Sequence, residues 1–93
     1  MRAKRIDGNQ NTLIDQMRQI PGLTVRITSM VGNGFTDTVI GYRGKTHLLE
    51  IKDPSQPPSK RKLTPDEQKF HDSWTGSIWV VETIDDVLKI INK

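Results

Sequence analysis

Positions 36–53 hold two apolar runs split by Arg43-Gly44-Lys45, and charged residues stand at the end of the second run, where a core strand should be apolar. Thr38, Val39, Ile40 and Tyr42 make the first run, and Leu48, Leu49 and Ile51 the second. β-Branched, aliphatic and aromatic residues on either side of a short turn predict a hairpin. If Gly44-Lys45 forms a two-residue type II′ turn with Gly first, Arg43 faces Thr46, Val39 faces Glu50 and Asp37 faces Lys52. Side chains alternate along a strand, so Asp37, Val39, Glu50 and Lys52 project from one face and Leu49 and Ile51 from the other. By the same parity His47 points away from Glu50 and Lys52.

Two carboxylates and an ammonium thus converge at one end of a hairpin. Burying them costs several kcal/mol of lost hydration unless something compensates. Two hard carboxylate oxygens and a backbone carbonyl suit Mg2+ or Mn2+, which keep several waters, and an adjacent lysine can stabilise charge developing on a phosphate. The pattern points to phosphodiester hydrolysis.

Asp37, followed thirteen residues later by Glu50-Ile51-Lys52, resembles the PD-(D/E)XK nuclease signature, with Thr36 where that signature carries its proline. The runs Gly34-Phe35-Thr36-Asp37, Leu49-Glu50-Ile51-Lys52-Asp53 and Leu63-Thr64-Pro65-Asp66-Glu67 resemble the virus-type replication-repair nuclease (VRR-NUC) domain, which is similar to Holliday junction resolvases. The resemblance spans nearly the whole chain. It implies a restriction-endonuclease-like mixed α/β sheet and a metal held by Asp37, Glu50 and the Ile51 carbonyl. It also implies a catalytic role for Lys52, and a branched or four-way-junction DNA substrate. Gln10 stands where related nucleases often carry a Glu; as a neutral amide it can orient water or phosphate but brings no charge to a metal. Glu67 stands where the family often has a Gln.

Ninety-three residues, a third of them apolar, make one small domain with a limited core. A restriction-endonuclease-like domain of this size gains stability from a two-fold partner, so a homodimer is expected. Fourteen Lys and Arg against eleven Asp and Glu give a net charge of +3, which suits a polyanionic partner without demanding one. No cysteine is present, so thiol nucleophiles, disulfides and zinc-thiolate centres are excluded. No apolar run approaches the ~20 residues of a membrane helix and no secretory h-region opens the chain, so a cytoplasmic protein is expected.

Around the hairpin the periodicities place the remaining elements. Residues 1–6, with a basic Met1-Arg2-Ala3-Lys4-Arg5, are expected to be loose. Asp7 and Gln10 have capping-box spacing, and Leu13, Ile14, Met17 and Ile20 recur at helical intervals up to Pro21-Gly22, giving a helix over 8–20. Gln10 shares that stripe, so its amide either caps the helix or points at the sheet. Leu23, Val25 and Ile27 alternate as a half-buried strand, and a Gly-Asn-Gly loop precedes Asp37. After Asp53, three prolines within 54–62 argue against regular structure, and Lys60, Arg61 and Lys62 are the candidate DNA contacts, or else a solvated loop. Thr64-Pro65-Asp66-Glu67 is a helix start, and Phe70 and Trp74 should face the sheet. Neither His47 nor His71 has metal-ligand spacing. Residues 78–81 read as a buried strand, and Thr83 to Asp86 cap a last helix striped by Ile84, Val87, Leu88 and Ile91. The expected order is αβββαβα in one domain over 1–93.

Two other classes fit parts of this pattern. A non-catalytic DNA-binding module would use the basic loop and leave the acids idle. A protein-interaction domain would use the region of Trp74 and Trp79 as an apolar contact.

Overall fold

In a computed structural model of the protein, residues 8–93 are described. The basic residues 1–5 and Asp7, expected to cap the first helix, lie outside them. Leu13, Ile14 and Met17 form the buried stripe of α1 (Gly8–Arg18). This helix stops short of the expected residue 20. Gln19 and Ile20 donate to the carbonyls of Gln16 and Met17, three residues back, so the last turn tightens before the chain enters β1 (Leu23–Ile27).

β1, β2 (Thr38–Tyr42), β3 (Lys45–Ile51) and β4 (Ile78–Val81) form one mixed sheet in that spatial order. The first three strands are antiparallel and β4 runs parallel to β3. α2 (Pro65–Ser73) lies between β3 and β4 in the chain, and α3 (Ile84–Ile91) follows β4. Both helices open with complete capping boxes, Thr64 with Glu67 and Thr83 with Asp86. Each satisfies two backbone N–H groups that a helix start otherwise leaves open.

The hairpin register differs from the expected one. Tyr42 pairs with Lys45, Gly41 with Thr46, and Val39 with Leu48, so Arg43-Gly44 rather than Gly44-Lys45 is the two-residue turn. Arg43 (φ 50°) and Gly44 (φ 80°) both lie in the left-handed region, the type I′ geometry whose twist matches antiparallel strands. The Arg43 guanidinium lies over the Tyr42 ring, 5.1 Å from its centroid. The change moves every pair by two residues, which conserves side-chain parity. Asp37 therefore sits one step past the last pair, Thr38 with Leu49, and its opposite number is Glu50 rather than Lys52.

On one face Ile40, Leu49, Ile51 and Val81 pack with Leu13, Ile14 and Met17 of α1 and Val87, Ile90 and Ile91 of α3. On the other, α2 meets the Glu50 end of β3, where the Lys52 ammonium lies between Glu50 and Glu67. Cover on both sides buries β3 continuously from His47 to Ile51 instead of in alternation. Two expectations of burial fail nearby. β4 is an edge strand with Val80 45% exposed, and Trp74 forms the C-cap of α2, 41% exposed. Phe70 stacks between Phe35 and Trp74, with ring centroids 5.2 and 5.3 Å away.

Candidate active site

The central pair of strands carries its acids to the end of the sheet and buries them there. Asp37 and Glu50 are 3% and 1% exposed. Asp37 Oδ2 accepts the Ile51 N–H at 2.8 Å. The N–H and C=O of one residue in an extended strand point the same way, so the Ile51 carbonyl also faces the β2 side, toward Asp37. Lys52 completes the group, with Nζ 3.9 Å from Glu50 Oε2. Lys52 thus meets Glu50, and Asp37 lies opposite Glu50 on the same face, through a register other than the one that first suggested the grouping.

The loop leading into Asp37 is held by short polar contacts. Thr28 donates its N–H to the Asp37 carbonyl at 2.8 Å and its hydroxyl to the Thr36 carbonyl at 2.8 Å. Gln10 is 3% exposed, and its Nε2 donates to Ser29 Oγ at 2.9 Å, while Ser29 Oγ donates to the Asp37 carbonyl at 3.3 Å. The amide points toward the sheet and is one hydroxyl removed from the Asp37 backbone. That geometry suits a positioning residue. Gly34 (φ 81°) passes so close to α2 that a Cβ there would lie 2.3 Å from the Asp66 carbonyl oxygen, so the approach to Asp37 requires glycine.

Three residues that the sequence pattern left aside also shape the site. Glu67 Oε1 accepts both the Lys52 ammonium and the Thr64 N–H at 2.9 Å, so one carboxylate caps α2 and binds Lys52. Burial pushes the Glu67 carboxyl up, but the Thr64 N–H and the Lys52 ammonium outweigh it and hold the group at about 2, below its ordinary 4.5. His71 lies one helical turn beyond Glu67, within reach of the fields of Glu67 and Lys52. Burial and the Lys52 charge lower its pKa against the opposing pull of Glu67 and Asp72, and its buried Nε2 has no hydrogen-bond partner among the described residues. Asn9 Nδ2 donates to the carbonyls of Lys52 (2.8 Å) and Glu82 (3.1 Å), clipping the ends of β3 and β4 together. The i, i+4 spacing of Glu67 and His71 was a usable signal in the sequence. Asn9 carried none, because its partners are backbone atoms 43 and 73 positions away.

The basic loop departs from expectation in two ways. Its prolines permit a 3-10 turn at Pro58–Lys60, closed by Lys60 N–H donating to the Pro57 carbonyl at 2.8 Å. Lys60 and Lys62 are exposed, but Arg61 turns inward to Glu82, 3.0 Å from Nη1 to Oε2.

Among the described residues, no group of three or more His, Cys, Asp or Glu side chains is arranged to hold a metal ion. The donor set expected from the sequence, Asp37, Glu50 and the Ile51 carbonyl, is smaller: two carboxylates and one carbonyl. These are hard oxygens of the kind that Mg2+ and Mn2+ take alongside several waters, so the residues fit such an ion in chemical type. No described helix is long and apolar enough to cross a membrane. No protein-family model, curated protein or solved structure matches the chain.

Proposed function

We propose that the protein is a metal-dependent, structure-selective DNA endonuclease with a restriction-endonuclease-like fold. The observation that carries this reading is the burial of Asp37, just before β2, opposite Glu50 near the end of β3, with Lys52 two residues beyond Glu50. Two neighbouring buried carboxylates are costly to a small domain. A binding role for a divalent cation gives that cost a purpose. Asp37, Glu50 and the Ile51 carbonyl would hold Mg2+ or Mn2+, which supplies charge neutralisation and water activation for phosphodiester hydrolysis.

The chain's own residues do the rest. Asp37 fixes the Ile51 peptide through its N–H and so aims the neighbouring carbonyl. Lys52 brings a positive charge beside Glu50, where a scissile phosphate needs one as negative charge develops. Gln10 and Ser29 hold the Asp37 backbone in register. Glu67 keeps the Lys52 ammonium in place until a phosphate competes for it. The likeness of residues 34–67 to the VRR-NUC domain supports branched DNA, such as a four-way junction, as substrate. A cytoplasmic homodimer would present two sites to its two symmetric strands.

One observation favours a second reading. Lys52 is already engaged by Glu67 at 2.9 Å, which also suits a DNA-binding module that does no chemistry. Incubating the purified protein with labelled duplex, flap and four-way-junction DNA, with Mg2+, Mn2+ or EDTA, separates the two. Cleavage that EDTA abolishes is the expected result. Binding without cleavage in either metal overturns the nuclease reading.

A further inference from the structure

Beside the edge strand β4 an open groove of about 620 Å³ runs from Lys52 past Arg61 and Lys89 to Trp79 and Lys93. Its two acids are occupied: Glu82 is bridged to Arg61, and Asp86 accepts the N–H groups of Glu82 and Thr83 at the start of α3. A second hollow, about 290 Å³, continues on the far side of Trp79 and Lys93 with Arg43 and Lys45 on its walls. Trp79 therefore stands between two basic stretches. Its indole N–H is fixed on Ser77 Oγ at 2.7 Å, and Lys93 Nζ covers the ring at 4.3 Å from its centroid.

We infer that this groove is the path of a single-stranded DNA segment, with one base stacked on Trp79 in place of the Lys93 ammonium. The inference rests on the nuclease reading above and extends it, because the groove begins at Lys52. Charge complementarity selects a polyanion: with Arg61 and Glu82 neutralising each other, Lys89 and Lys93 on one side of the ring and Arg43 and Lys45 on the other leave the track positive. The indole selects an unpaired base, since bases within a duplex are stacked on one another and offer no free face. The ammonium above the ring shows that this face is open to a partner, and once displaced by a base it would lie beside the sugar-phosphate chain. A strand held this way would enter the candidate active site from the unpaired side of a fork or junction. The groove would then prefer branched DNA without reading its sequence.

The protein has two tryptophans, so Trp74→Phe leaves Trp79 as its sole indole reporter. Titrating that variant in EDTA with a short oligo-dT should quench its fluorescence. Lys89→Ala with Lys93→Ala should weaken binding and flatten the slope of log affinity against log salt by roughly 0.7 for each lost phosphate contact. Trp79→Leu should lower affinity on the order of tenfold or more, and circular dichroism checks that it folds. Oligo-dT that binds with unchanged Trp79 emission, or an unchanged salt slope in the double lysine variant, overturns the inference while leaving metal-dependent cleavage to be judged by its own assay. Equal quenching by an acidic peptide also overturns it, in favour of a protein partner. Trp79 quenching without any cleavage in Mg2+ or Mn2+ supports the groove and overturns the nuclease reading alone.

Discussion

Lys52 and Glu67 meet at 2.9 Å through the same carboxylate oxygen that accepts the Thr64 N–H, so the start of α2 and the candidate catalytic lysine share one anchor. Helix capping and site assembly are therefore coupled. A side chain that closes a capping box has little freedom left, which holds the ammonium in one place beside Glu50.

Lys52→Ala is expected to reduce cleavage by about a hundredfold or more, as removal of a transition-state charge does. Glu67 keeps its Thr64 partner, so the loss of stability should stay within about 1–3 kcal/mol. Nuclease assays paired with thermal unfolding check both parts. Cutting at the wild-type rate would remove Lys52 from the mechanism.

Asp37→Asn and Glu50→Gln should each stop turnover and weaken Mg2+ or Mn2+ binding, since each deletes one anionic ligand at nearly constant shape. Glu50→Gln should also lower the melting temperature without metal, because it breaks the buried pairing of Glu50 with the Lys52 ammonium. Calorimetric titration with each metal decides the first point, and scanning calorimetry the second.

Acid should destabilise the protein in two stages. Burial lowers the pKa of His47, helped by Lys45, and that of His71, so both are neutral when folded and more readily protonated when unfolded. Their stabilisation is present above about 6.5 and lost as pH falls below it. Glu67, held at about 2 against an ordinary 4.5, contributes stability above 4.5 that is lost as pH falls toward 2. Glu67→Gln should flatten the lower stage and, by removing the pull of Glu67 that raises the His71 pKa, deepen the upper one, as read from melting temperatures across pH 8 to 3.

Gly34→Ala should cost about 1–3 kcal/mol, because φ is 81° and the new Cβ would meet the Asp66 carbonyl oxygen at 2.3 Å. In a domain of this size each kcal/mol lowers the melting temperature by roughly 4–8 °C. Gly32→Ala, also at φ 81° but with nothing near its Cβ, is the control and should cost less.

Changing Lys60, Arg61 and Lys62 together to Ala should weaken DNA binding equally for all sequences and flatten the salt dependence by up to roughly 0.9 per lost phosphate contact on duplex DNA. Arg61 alone should contribute least, since a phosphate must first displace Glu82 at 3.0 Å. An unchanged slope in the triple variant would leave the loop as solvated surface.

Much of this was readable from local patterns. The two capping boxes, the helical stripes and the alternation of β1 depend on residues within a turn or two of one another, and local chemistry decides them. The pairing of the hairpin was only half readable. Arg43-Gly44 and Gly44-Lys45 are both acceptable turns, and choosing between them moves the register by two residues without changing which face any side chain takes. For that reason Asp37, Glu50 and Lys52 converge despite a mistaken partner list.

The sequence by itself determined the run of helices and strands and the shared face of the two acids and the lysine, while it left Gln10 between a helix cap and the sheet side of α1, where the structure buries it. Only the tertiary structure decided that Glu67 engages Lys52, that Arg61 turns to Glu82, that Asn9 ties β3 to β4, and that Trp79 stands among cations drawn from four separate segments. The first set follows from the fixed periods of helix and strand, which repeat every few residues. The second consists of contacts between residues 15 to 73 positions apart and of a groove whose walls meet only when β4 docks beside β3. No local period encodes where that docking brings them.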